Sequence, residues 1–181
     1  MMLTSHTTET NAAKPQKCGE LVDILIGVTV NKLPELSQTA LKPTYVKGDA
    51  VAAFVKSKSS AVRMGADTLL LHADIGDGIR WQMTSVCDRF EYEVSIYDIR
   101  VQGNTAMTKP KPAKISDAVA RVSGIGWIEP LNYFRNYVLA LDAEPAMCEV
   151  CFKVTRKTDN ALIGYGAWLP QLLVRGTECF H

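Results

Sequence analysis

A chain of 181 residues, 47% apolar and 22% charged, is long enough for one domain with a sizeable core and too short for two. Twenty Lys and Arg stand against 19 Asp and Glu, and a formal net charge of +1 argues against a partner held mainly by bulk charge, whether nucleic acid or an anionic membrane. No stretch approaches the roughly eighteen apolar residues of a membrane-spanning helix.

Residues 1–18 are Thr-rich and lack the apolar centre of a secretory signal, so they are expected to form a disordered tail. A single domain is expected over 19–176, with a short tail at 177–181, in a cytoplasmic protein. Five cysteines (Cys18, Cys87, Cys148, Cys151 and Cys179) are odd in number and irregular in spacing, which argues for reduced thiols over a disulfide framework.

Period-two alternation, the mark of strands with one buried face, dominates the chain from Leu21 onward. Val22, Ile24, Ile26, Val28 and Val30 alternate through the first strand, and Leu21 and Leu25 on its other face predict a position near a sheet centre. A weaker strand over Tyr45 to Val55 is interrupted at Gly48-Asp49. Thr68 to Ala73 and Ile79 to Thr84 flank Asp74-Ile75-Gly76-Asp77-Gly78, a loop of hairpin length. Phe90, Tyr92, Val94 and Ile96 share a face, then parity slips to Ile99 and Val101, which predicts a β-bulge near Tyr97-Asp98.

The stretch from Gln102 to Gly124 is the one long irregular segment. Lys109-Pro110-Lys111-Pro112 argues against regular structure there, and Ser116-Asp117 can cap a short helix over Ala118 to Val122. Surface excursions of this kind often carry recognition residues, and more often simply cross between sheets. Strands over Tyr133 to Leu141, Met147 to Arg156 and Leu162 to Val174 complete the chain, with a turn at Thr158-Asp159-Asn160 and a break at Pro170. The fold class is therefore all-β, an antiparallel β-sandwich of about seven to eight strands with one long loop. Periodicity leaves a closed barrel as the alternative.

Several segments in this order carry a resemblance: Val22-Asp23-Ile24-Leu25-Ile26, Ala73 to Trp81, Tyr92 to Ile99, Cys148 to Val154, and Gly164-Tyr165-Gly166-Ala167-Trp168-Leu169-Pro170. Together they resemble the bacterial AidA/PixA inclusion-body family over roughly Leu21 to Val174. Gly76-Asp77-Gly78-Ile79-Arg80-Trp81 is the most specific piece. Thr29-Val30-Asn31 and Leu169 depart from the acidic residues typical of relatives. The resemblance implies a cytoplasmic protein that self-associates as a homo-oligomer, with links to quorum sensing or host interaction in some members. It brings no enzyme activity and no cofactor; a lectin-like role has been proposed for relatives.

Among candidate sites, Cys148 and Cys151 lie three apart and so fall on opposite faces of a strand, which argues for structural thiols and against a redox or zinc pair. His72 has no nucleophile pattern beside it, and Gly124-Ile125-Gly126 lacks a third glycine and the strand-to-helix setting of a phosphate loop. Asp77, Arg80, Trp81 and Trp127 are the candidate ligand-binding residues, for a glycan held by directional hydrogen bonds and an indole face. The competing reading has Asp77 ordering the turn, Arg80 paired with a glutamate on a neighbouring strand, and Trp81 in the core. Tyr165 and Trp168 fall on opposite faces of the last strand, so at most one enters the core.

Overall fold

Alternation along the first strand sets the architecture of the computed structural model, which describes residues 19–56, 61–64, 68–86, 91–102, 107–114, 132–141 and 145–176. In β1 (Leu21–Val28) the even positions are buried, while Leu21 and Leu25 are each 41% exposed. After a 3-10 turn at Val30–Lys32 come β2 (Thr44–Tyr45), β3 (Val51–Lys56), β4 (Ala61–Met64), β5 (Thr68–His72) and β6 (Gly78–Ser85). Next are β7 (Tyr92–Gln102), β8 (Lys111–Lys114), β9 (Asn132–Tyr137), β10 (Ala146–Arg156), β11 (Leu162–Trp168) and β12 (Gln171–Arg175).

The strands form two packed sheets rather than a closed barrel. One runs β4-β3-β1-β6-β9-β8, and β1 is interior to it. The other runs β2-β11-β10-β12-β5, with β7 along the remaining edge of β10. Their inner faces meet over Trp81, Trp168, Phe152, Ile24, Ile26, Ile79, Ile99, Leu69, Leu71 and Leu172, all essentially without solvent contact. Burying each such side chain contributes about 1.5–3 kcal/mol, which offsets the entropy of ordering the strands.

Three expectations are met in detail. Cys151 pairs with Asp98 and Phe152 with Ile96, so Tyr97 is the extra residue of a bulge, and the parity slip is repaired there. Arg156 N–H donates to Ala161 O at 2.8 Å around a turn in which Asn160 takes φ 55°, closing the β10–β11 hairpin. The last strand does divide at Pro170, whose carbonyl still accepts from Cys148 N–H at 2.9 Å and keeps β12 aligned along β10.

Other expectations need correction. The described residues hold twelve strands, several of them short, and the sheets are mixed: β1–β6, β2–β11 and β5–β12 are parallel pairs. Strand direction depends on how connections cross between sheets, which alternation does not encode. β5 and β6 do not form a hairpin, because the loop between them carries the chain from one sheet to the other. Lys109 to Pro112 is not wholly irregular. Lys111–Lys114 is an edge strand on β9, where a proline's missing N–H faces away from the ladder. The short helix over Ala118 to Val122, the Gly124-Ile125-Gly126 segment, Trp127 and both tails lie outside the described residues.

Candidate functional site

The Gly76-to-Trp81 segment begins in a turn that an aspartate organises. Asp77 is buried, and its carboxylate accepts from Glu20 N–H at 2.6 Å and Asp74 N–H at 2.8 Å. Gly76 N–H donates to Val138 O, and Val138 N–H returns a bond to Asp77 O, both at 2.9 Å. The acceptor-only side chain thus joins the start of β1 to the crossover, and the backbone of Gly76 and Asp77 ties that turn to the end of β9.

Arg80 lies further along β6, directly opposite Asp23 of β1. Its Nε and Nη2 donate to the two Asp23 oxygens at 2.6 and 2.7 Å, a two-pronged pair on the outer face of the sheet. The anticipated carboxylate partner is therefore an aspartate rather than a glutamate. Trp81 points the other way, is 0% exposed, and donates from Nε1 to Asn136 Oδ1 at 2.9 Å. Its indole offers no face to a ligand, so the stacking role considered for it gives way to core packing. The three residues occupy opposite sides of a sheet and do not converge on one pocket. Asn136 was not among the residues expected from sequence, although its signal was present: it stands between Phe134 and Val138 on the apolar side of the alternation.

The other candidates separate similarly. Cys148 lies in the core among Val150, Phe152 and Val154, whereas Cys151 is buried on the outer side of β10. Burial, followed by the neighbouring Cys151 and Glu149, pushes the Cys148 thiol up to about 12. Burial and then Glu149 push Cys151 up to about 11. Both thiols are therefore held in the protonated, unreactive form. Beside Cys151, Glu149 accepts from Tyr45 Oη at 3.3 Å and pairs with Arg100 Nη1 at 3.1 Å, while Arg100 Nε reaches Asp98 at 2.7 Å. Trp168 is in the core, and Tyr165 on the outer face meets the Tyr97 ring edge-on at 5.5 Å.

A further concavity lies elsewhere, where β7 and β8 bound the two sheets. It is a groove of about 780 Å³ whose walls include Tyr97, Asp98, Lys109, Pro112, Tyr133 and Lys153. A groove with two phenols, a carboxylate and several ammonium groups suits an extended polar ligand. Its signal in the sequence was the Lys-Pro repeat, which had marked the right segment without revealing its opposite wall.

The sequence profile of the PixA family, described as inclusion body protein, matches residues 21–124. The fold also resembles the crystal structure of an inclusion body protein (PixA) from Burkholderia cenocepacia J2315. That similarity has a TM-score of 0.70 and 18% identity, covering 90% of this chain and 99% of that one. No curated protein matches the sequence. A profile match across more than half of the chain, joined to the same two-sheet fold, makes this protein a member of the PixA inclusion body protein family.

Proposed function

We propose that this chain is a non-enzymatic, cytoplasmic protein that self-associates, adding copies edge to edge through β5. The observation that carries this is the uneven protection of its sheet edges. An open edge presents unpaired N–H and C=O groups, and natural sheets blunt such edges with prolines, lysines, bulges or brevity. β8 has Pro112 and flanking lysines, β7 has its bulge at Tyr97, and β2 is two residues long. β4 is four residues long, whereas β5 reads Thr68-Leu69-Leu70-Leu71-His72 and, among the described residues, has none of these devices. Ala73 N–H bonds to Arg175 O of the neighbouring strand, so by alternation the backbone groups of Leu70 face the free edge.

The test is sedimentation of the wild type and Leu70→Pro over a wide concentration range. The substitution removes a donor at the open edge without touching a bond to β12. The expected result is a concentration-dependent oligomer in the wild type and a shift of at least tenfold toward monomer in the variant. A wild type that is monomeric at every concentration, or a variant that assembles equally well, rejects the reading.

A lectin-like reading is favoured by one observation, the β7–β8 groove with Tyr97 and Tyr133 in its walls. It predicts saturable glycan binding on an array, weakened at least tenfold in Tyr133→Ala; a blank array removes it.

A further inference from the structure

The near-neutral chain nevertheless assembles a basic face. On the outer side of the β1-containing sheet, the register aligns Lys56, Asp23, Arg80, Arg135 and Lys111 in one row across five strands. Four cations share this row with one carboxylate, which is already engaged by Arg80. At the usual strand spacing of about 4.8 Å the row runs on the order of 19 Å.

Apolar and aromatic groups lie on either side of it. Leu21 and Tyr137 flank Gly78 in one neighbouring row, and Phe54 and Leu25 pair in the other. All four are more than 40% exposed, which is unusual for such residues grouped on one sheet face.

Arg135, between Arg80 and Lys111 in the row, is where the cations meet the neighbouring aromatic row. Its guanidinium stands 4.9 Å from the Tyr137 ring centroid. A Cβ on Gly78 would stand 3.3 Å from Arg135 Nη2 and 3.4 Å from Nε, so the group rests across the bare glycine backbone. A side chain at that position would crowd it. Among the described residues no carboxylate lies within ion-pairing distance of Arg135, Lys56 or Lys111.

We propose that this face binds single-stranded nucleic acid, with phosphates on the Lys56–Arg135–Lys111 row and bases stacked on Tyr137 and Phe54. Charge complementarity selects a polyanion, and exposed rings flanking the cations select one with planar groups to stack. A flat sheet tracks a flexible single strand, whereas readout of a duplex requires an element that enters a groove. The expectation against nucleic acid rested on the overall charge of +1, which averages away the cations that this surface gathers. This inference is independent of assembly through β5, which uses a different sheet.

The experiment is fluorescence anisotropy of the full chain with a labelled oligothymidylate, at about 50 and about 200 mM salt. Binding is expected, and Arg135→Ala is expected to weaken it at least tenfold. Tyr137→Ala should cost roughly fivefold or more through lost stacking. Lys56→Ala and Lys111→Ala change exposed side chains at the margins and keep the test valid if a central variant misfolds. Each should flatten the logarithmic salt dependence by about 0.7 for a lost phosphate contact. No binding at the lower salt overturns the proposal, as does undiminished binding by all four variants. Polyphosphate or anionic vesicles binding as tightly as the oligonucleotide also overturns it, since neither presents bases to stack.

Discussion

At the scale of single residues, the polar groups that stand out in the sequence act mainly as fasteners. Asp77 satisfies two backbone donors from separate segments, so Asp77→Ala leaves both without their acceptor. The expected cost is about 2–3 kcal/mol, read from the urea midpoint, with a secondary structure otherwise unchanged. Unchanged stability would mean that the turn is held without the carboxylate. The buried thiols give a second residue-scale prediction. Cys148 and Cys151 ionise near pH 12 and 11 in the folded chain, against about 8.5 in an unfolded one. Both folded values are raised, so their contribution is intact below about pH 8.5 and is lost as pH rises toward 11–12. Unfolding free energy should therefore fall across that interval, and Cys148→Ala should flatten part of the fall. Native protein at pH 8 should also react slowly with thiol reagents; rapid modification of both cysteines would contradict their burial.

At the scale of elements, edges and interruptions carry the information. The bulge at Tyr97 was legible because two sets of alternating residues cannot share a face without an extra residue between them. The break at Pro170 was legible because proline cannot donate to a ladder. The same chemistry misled at Lys109 to Pro112, where a proline-containing segment became a strand because it lies at an edge. The edges also explain the design of Leu70→Pro. Proline at Leu70 should leave the β5–β12 ladder intact, so a change in assembly with little change in monomer stability is the expected signature. A large loss of stability would indicate instead that Leu70 N–H is bonded within the monomer.

At the scale of the whole molecule, the chain's near-zero charge and its basic sheet face are both consequences of one sequence. Charges that alternate with core residues along separate strands are scattered in the chain and become neighbours only through register. Lys56, Arg80, Arg135 and Lys111 belong to four strands, and nothing local links them. The same holds for the β7–β8 groove, whose walls come from opposite sheets. Asp23 was hidden as the partner of Arg80 because a parallel β1–β6 pairing brings them together across 57 positions. By itself, the sequence determined the all-β class, the burial of alternate residues, the bulge, the final hairpin and the family, since each depends on local periodicity, turn chemistry or ordered motifs. Only the tertiary structure decided which strands pair, in which direction and against which sheet. Those choices depend on crossover paths and packing between distant segments, and it is they that place side chains side by side on a surface.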